Sequence, residues 1–287
     1  MAINVQCVYG DDNVEHITKC ILPNLRSTCH EDINFICMNY KKGGKNIESG
    51  VSFGINVINI EKEKDIATGF SENHNFIFNR FEHGKVFILM NPDCIPLPNS
   101  IDALLHRKGD DDSIAIVEGR QWPFEHPKEY DKVSLETPWA SGAFELIDSN
   151  FYEKIHGMDE LYFLYDEDVD LSWQAWLNGY KVLYEPAAQI MHFTNGFFMR
   201  SDIVSNEYYY SLRNFILISK KFFGETGEKK AVVMLREVLS EAFFNKIWHD
   251  YAKNIQAKIS NKYVGKTHRN IKIHGINLFA NHTGEWS

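Results

Sequence analysis

Four carboxylates fall within five residues at Asp166-Glu167-Asp168-Val169-Asp170. Such a cluster repels itself unless water, a cation or a shared proton relieves it. Its flanks do not read as a solvated surface, because Leu161 to Leu164 precede it and Leu171, Trp173, Trp176 and Leu177 follow. Two more groups bear on it: Asp93, which ends Asn91-Pro92-Asp93, and His192, which follows a short strand-like segment. Oxygen ligands and a histidine can hold Mg²⁺ or Mn²⁺ against a diphosphate, while a separate carboxylate takes a proton from a hydroxyl. Each signal has an ordinary reading too. A lone histidine is commonly a satisfied core residue, Asn-Pro-Asp is turn sequence, and Asp170 in a first helical turn would simply complement the helix dipole.

Other chemistries find little support. Counted from Asp166, the glycine and glutamate of a calcium-binding EF-hand loop would fall on Leu171 and Leu177. No Gly-rich phosphate loop, G-x-G-x-x-G fingerprint or G-x-S-x-G elbow occurs, which weakens NTPase, dehydrogenase and hydrolase readings. A net charge of −9 disfavours nucleic acid as a partner. Five cysteines without C-x-x-C spacing suit a reducing compartment and make zinc unattractive. With no leader-like start and no apolar run of membrane-spanning length, the expected location is cytoplasmic.

The elements that must position these groups read as an α/β sheet. Strands are expected at 3–9, 33–38, 55–60, 86–90, 114–117 and 143–147, with a helix opening at Asp12 (Val14, Ile17, Ile21, Leu25) and another carrying Phe70, Ile77 and Phe81 up to Gly84. Val86-Phe87-Ile88-Leu89-Met90 is continuously apolar, as in a central strand covered on both faces. Asp93 would then stand beyond its carboxyl end, where α/β sheets bind ligands. A helix follows Asn99, a long loop from Gly119 to Trp139 is expected to line a site, a short helix spans 149–155, and a helix follows Asp168 with Gly179 closing it. Helices are expected over 208–223 and 228–259. From Asp250 onward six Lys and Arg face two acids, a basic helical region that would either touch anionic headgroups or pack as a solvated face.

Taken jointly, these residues resemble the inverting glycosyltransferases of family 2, especially the rhamnosyltransferase-like branch. Gly69-Phe70-Ser71-Glu72-Asn73-His74-Asn75 resembles its "GF-x-x-x-N-N" segment, and Leu89-Met90-Asn91-Pro92-Asp93 its "L-N-P-D" form of the Asp-x-Asp motif. Ser141-Gly142-Ala143, Gly157-Met158-Asp159-Glu160, Tyr165 to Leu171, Gly179-Tyr180, His192 and Arg213-Asn214 match later motifs in order, over about residues 3–215. The resemblance implies an α/β GT-A fold with a mixed central sheet over 1–200, whose first half (1–97) binds a nucleotide-sugar and whose second half (98–200) binds the acceptor, and a helical region over 201–287. It implies Asp168 as general base with Glu167 orienting it or the acceptor, Asp93 and His192 toward a Mn²⁺ or Mg²⁺ ion, donor contacts from Tyr9, Asp11, Asn39, Asn73, Asn91 and Asp93, and acceptor contacts from Trp139, Gly142 and Glu167.

The expected reaction moves a sugar from a nucleotide-diphosphate donor, dTDP-rhamnose or a UDP-sugar, to a hydroxyl of a cell-surface glycan or lipid-linked oligosaccharide, with peripheral contact at the inner membrane face through the basic region. Departures point to the rivals, an inactive sugar-nucleotide or glycan-binding subunit and a metal-dependent phosphotransferase. Asn39 stands where the branch has an acid, Gln174 where it often has Arg, so a charge partner for the acids is missing, and His74 replaces an Asn in what reads as a packing position. Within the cluster, Asp168 carries the chemistry, Asp170 is read as a helix-dipole acid and Asp166 as solvated.

Overall fold

The computed structural model describes residues 2–62, 68–126, 128–192 and 201–273, the side chains of 201–207 excepted. Pro127 in the long loop, the boundary near residue 200 and Glu285 lie outside them. Nine strands form one mixed sheet: β1 (Ile3–Tyr9), β2 (Ile33–Asn39), β3 (Gly50–Ser52), β4 (Ile55–Ile60), β5 (Val86–Met90), β6 (Cys94–Pro96), β7 (Ile114–Trp122), β8 (Phe144–Asp148) and β9 (Lys181–His192), in the order β3-β4-β2-β1-β5-β8-β7-β9-β6. β4, β2, β1 and β5 run parallel, β8 is antiparallel to both β5 and β7, and β9 is parallel to β7. Every residue of β5 is buried, as its unbroken apolarity requires. Because the chain steps from β1 outward to β2 and β4 and then returns to β5, strand order reverses between β1 and β5. The carboxyl ends there carry Gly10-Asp11 and Asn91-Pro92-Asp93, the edge at which open α/β sheets bind ligands.

Several elements differ from expectation for local reasons. Residues 11–28 form a run of short helical turns including a π-turn at Ile17–Ile21, and the entry is closed by Asn13, whose Oδ1 accepts from the Gly10 amide at 2.9 Å, not by Asp12. The helix Phe70–Arg80 stops before Gly84. β7 runs on to Trp122 because its polar second half pairs with β9, so the loop expected from Gly119 starts four residues later. The short strand β3, antiparallel to β4, carries no apolar alternation and was not expected.

Beyond the sheet, Ser201–Val238 is helical with a kink at Gly224, and a Ser240 cap opens a separate helix Glu241–Asp250, so the long helix expected over 228–259 is broken. This region shares a core with the sheet: Phe215, Ile216, Phe222, Tyr263 and Ile271 pack in one cluster with Phe87, Leu89, Trp173 and Trp176. Tyr263 Oη donates to Gln174 Oε1 at 2.7 Å, and His268 stacks on Trp176 with ring centroids 4.7 Å apart.

Lys221 is the deepest charge in this packing. Its Nζ lies 2.6 Å from Asp170 and 2.7 Å from Asp159, with the Lys221 and Asp170 side chains 4% and 1% exposed. The cation missing at position 174 is therefore supplied from 47 residues further along the chain. Removing one partner of a buried pair leaves the other charge uncompensated, at a cost of about 3–5 kcal/mol. Lys221→Met is expected to lower the urea-unfolding free energy by that order, whereas Lys220→Met, which loses the partly exposed Glu225 contact and the Glu228 contact, should cost less.

Candidate active site

The acidic stretch enters its helix, Glu167–Leu177, through a strained turn. Tyr165 and Asp166 both adopt left-handed backbone, at φ 68° and 67°. Such conformations cost about 1–3 kcal/mol each in non-glycine residues and persist only where surroundings enforce them. Asn214 does so, its Nδ2 donating to the Leu164 and Tyr165 carbonyls at 2.9 and 2.6 Å. From the other side, the Phe70 amide donates to Phe163 O at 2.8 Å, an approach that Gly69 permits because a Cβ there would stand 2.4 Å from that oxygen. Gly157 is fixed by a second motif residue: Asn75 Oδ1 accepts from the Met158 amide at 3.0 Å and from Tyr152 Oη at 2.7 Å, where a Gly157 Cβ would collide.

This turn separates the four acids. Asp168 alone is half-buried, and the others are buried. Its Oδ2 accepts from the Gly142 amide at 3.1 Å and its Oδ1 from its neighbour Val169 at 2.8 Å. Burial raises its pKa, and these two N–H donors oppose the rise. Glu167 is driven well above the usual carboxylate range by burial first and then by the Asp168 charge, and its Oε2 has no hydrogen-bond partner among the described residues. Both carboxyls are raised, Glu167 the more strongly, so Asp168 is the more readily ionised of the pair. Asp166 was read as solvated. It is 5% exposed, and burial, then Asp168, push its carboxyl well up, with Arg213 opposing. Asp170 was read as a helix-dipole acid, but it is the buried partner of Lys221 and also accepts from Gln174 Nε2 at 2.5 Å.

Beneath Asp168 the sheet contributes two more buried acids, cross-strand neighbours on β7 and β8: Glu118 and Glu145. Glu118 Oε1 accepts from the Ser141 amide at 3.0 Å, and its Oε2 meets Lys128 Nζ at 2.5 Å. Glu145 is fully buried, and neither of its oxygens has a hydrogen-bond partner among the described residues. Burial, then the charges of Asp168 and Glu118, raise its pKa well above the ordinary value. A carboxyl raised on folding binds more protons in the native state, so stability falls as pH climbs from about 4.5 through the raised value. Glu145→Gln removes that loss. Its unfolding free energy is expected to gain on wild type progressively as pH rises above about 5, at about 1.4 kcal/mol per unit of pKa elevation, read from urea unfolding at a series of pH values.

The same strand ends bring Asp93 to His192. β6 pairs with β9 so that Cys94 stands opposite His192, and His192 Nε2 lies 3.4 Å from Asp93 Oδ1. His192 Nδ1 is 2.7 Å from Gln121 Oε1, an acceptor, so Nδ1–H donates to the amide and the ring is oriented with Nε2 facing Asp93. Asp93 Oδ1 is buried with no hydrogen-bond donor among the described residues. An orphaned carboxylate oxygen facing an oriented imidazole fits a divalent cation, and Cys94 offers a third atom within 4.8 Å of both. Asn91, two residues before Asp93, donates to Ala143 O at 2.9 Å, and Asp168 accepts from the adjoining Gly142.

The fold of this sheet is shared with solved glycosyltransferases. The structure of GalNAc-T7 with UDP, GalNAc and Mn²⁺ superposes at a TM-score of 0.57 with 13% identity, covering 90% of this chain and 58% of that one. The mannosyltransferase PcManGT from Pyrobaculum calidifontis, solved with GDP-Man and Mn²⁺, gives 0.55 with 10% identity, covering 87% and 79%. The chain has the GT-A fold. Its sequence resembles rhamnosyltransferases over part of its length: it is 32% identical over 69 residues to rhamnosyltransferase WbbL of Escherichia coli K12, and 37% identical over 54 residues to the N-acetylglucosaminyl-diphospho-decaprenol L-rhamnosyltransferase of Mycobacterium tuberculosis. Those matches cover 24% and 19% of this chain and about a quarter and a fifth (26% and 18%) of those relatives. No family model matches the chain.

In the first half of the GT-A sheet, Asp11 and Asn39 join the ends of β1 and β2. Asn39 Nδ2 donates to Asp11 Oδ1 at 2.8 Å and to Lys45 O at 3.0 Å, and the Asn39 hydrogen bond leads the lowering of the Asp11 pKa. The carboxylate absent at 39 is thus present one strand away. Tyr9 is buried, its hydroxyl donating to Asn59 Oδ1 at 2.6 Å and accepting from the Ile47 amide at 3.1 Å, so its contribution here is to the floor of the edge. Asn73 is buried and bonded to Thr68. His74 packs against Phe70 and lies 3.2 Å from Gln6 Oε1, as expected for a packing residue. On the acceptor side Trp139 is 3% exposed, with Lys128 Nζ 4.0 Å from its ring centroid and 2.7 Å from its carbonyl. Lys128, Glu118, Glu145 and Gln121 escaped the sequence reading. The one signal for them is acids and amides at positions of β7 and β8 that face the core.

Proposed function

We propose that the chain is an inverting glycosyltransferase that moves a sugar from a nucleotide-diphosphate donor to a hydroxyl of a lipid-linked or cell-surface glycan. The observation that carries this reading is that a half-buried Asp168 held by the Gly142 amide, and an Asp93–His192 pair whose Asn91-Pro92-Asp93 segment bonds Ala143 through Asn91, stand at the ligand edge of a GT-A sheet. Asp168 takes the proton from the acceptor hydroxyl. Its raised pKa makes it a stronger base than an ordinary aspartate, and the Gly142 amide fixes its orientation. Glu167 stands beside it, oriented toward the acceptor or base. Asp93 and His192 would hold Mn²⁺ or Mg²⁺, which supplies positive charge to offset that developing on the diphosphate leaving group. Attack from the Asp168 side, opposite the departing diphosphate, inverts the anomeric carbon. Asp11, Asn39, Asn73 and Asn91 surround the donor, and Trp139 and Gly142 the acceptor.

The partial likeness to rhamnosyltransferases, one of them named for a lipid-diphosphate sugar acceptor, favours a deoxysugar donor such as dTDP-rhamnose and a lipid-linked acceptor. Among the described residues no helix is long and apolar enough to cross a membrane. Lys258, Lys262, Lys266 and Lys272 are exposed and would give the basic region its peripheral contact with anionic lipid. The expected result is slow release of nucleoside diphosphate from a nucleotide-sugar without acceptor, abolished by EDTA and restored by Mn²⁺. Release of inorganic phosphate instead, or no turnover of any nucleotide-sugar in a panel, overturns the reading.

A further inference from the structure

A cavity of about 400 Å³ lies between the 128–139 loop and the 269–272 segment. It is not lined by Asp93, Glu167, Asp168 or His192, so it stands beside the reacting centre. We propose that it is a carbohydrate subsite, holding a sugar unit of the acceptor remote from the hydroxyl that reacts; this rests on the glycosyltransferase reading for its place in catalysis, though not for binding itself.

Three observations point to a sugar. The volume falls within the range of small-molecule pockets and admits a sugar ring with its substituents. Its wall contains two buried N–H donors with no acceptor among the described residues: Nε1 of Trp173, a residue 1% exposed, and Nδ2 of Asn270. Buried donors without acceptors are unfavourable, and hydroxyl or ring oxygens of a ligand would offer them acceptors once a small side-chain adjustment brings them to the cavity surface. The charges balance: Lys128, Arg269 and Lys272 face Glu129, Asp131 and Glu136 across the lining, three of each sign. Two of the cations are already engaged, Arg269 with Glu136 and Lys128 with Glu118. A balanced lining of donors and acceptors beside Trp139 and Trp173 suits a neutral polyhydroxylated ligand and gives a diphosphate no net attraction.

The cavity is also connected to the base. Lys128 Nζ binds the Trp139 carbonyl and Glu118, Glu118 takes the Ser141 amide, and the next amide, Gly142, holds Asp168. A sugar seated against Trp139 and Asn270 would thus bear on the segment that orients the base, so filling the subsite favours productive placement of the next unit.

The test uses the whole chain labelled with ¹⁵N at its six tryptophans. The Trp173 indole resonance is assigned by its loss in Trp173→Phe, which keeps an aromatic ring in the core. The probes are di- to tetrasaccharides of N-acetylglucosamine, rhamnose, galactose and glucuronic acid, with inorganic pyrophosphate beside them. At least one oligosaccharide should shift that resonance, and Asn270→Ala should weaken that binding at least fivefold while leaving acceptor-independent hydrolysis of a nucleotide-sugar unchanged. The proposal falls if no oligosaccharide moves the resonance, if only pyrophosphate does, or if Asn270→Ala leaves the affinity intact. Sugar binding without any hydrolysis would keep the subsite and remove the transferase reading; hydrolysis without sugar binding would do the reverse.

Discussion

Asp168→Asn is expected to lower sugar transfer by about 10²–10⁴-fold while the thermal midpoint stays close to wild type. The amide keeps the shape of the side chain, and its single oxygen can take the place of Oδ2 in accepting from the Gly142 amide, at the loss of the contact to its neighbour Val169, so the Ser141 to Ala143 segment stays in place. What is lost is the lone pair of an ionised carboxylate. Because burial raises the Asp168 pKa, the acid limb of a kcat/KM profile should fall at higher pH than an ordinary aspartate would give, and that limb should vanish in the variant. Glu167→Gln supplies the contrast. Burial raises Glu167 the more strongly of the two, so the glutamine mimics its neutral form, and a loss well below that of Asp168→Asn is expected. Equal losses in the two variants, or transfer by Asp168→Asn near the wild-type rate, would remove Asp168 from the role of base.

How much of this was legible in the sequence depends on how far each residue's partner lies along the chain. β5 was readable because a strand covered on both faces must be continuously apolar, and its carboxyl end then placed Asp93 without further help. The second half of β7 was not, because Glu118 to Trp122 reads as polar loop and becomes strand only by pairing with β9, some 70 residues away. The same holds for charge. Lys221 and Lys128 look like surface lysines, and only the fold carries the first to Asp170 and the second to Glu118. Asp166 and Asp170 were misjudged for that reason: sequence spacing put them in or near a first helical turn, and a helical region from 201 onward then covered the turn. Asp168 was singled out on motif resemblance alone. Its physical distinction, two backbone donors and partial exposure, belongs to the three-dimensional turn that Asn214 and Gly69 enforce.

Asp93→Asn tests the other half of the site, and its direct readout is the metal itself. In the wild-type protein Asp93 Oδ1 is a buried carboxylate oxygen without a donor, 3.4 Å from His192 Nε2. A divalent cation would bind that oxygen together with His192, and the amide of the variant removes its charge while preserving volume. Mn²⁺ affinity, followed by electron paramagnetic resonance of the free ion, is expected to fall at least tenfold. Acceptor-independent hydrolysis should drop by about 10²–10³-fold, the order seen when one group stabilising a developing charge is removed. Gln121→Leu separates ligation from orientation. It removes the acceptor for His192 Nδ1 but touches neither Asp93 nor the diphosphate, and the loss of such an orienting partner costs about 10–100-fold in metal affinity. If Asp93→Asn binds Mn²⁺ as wild type does, the cation sits elsewhere. If it loses Mn²⁺ but keeps hydrolysis, charge on the leaving diphosphate is offset by other groups.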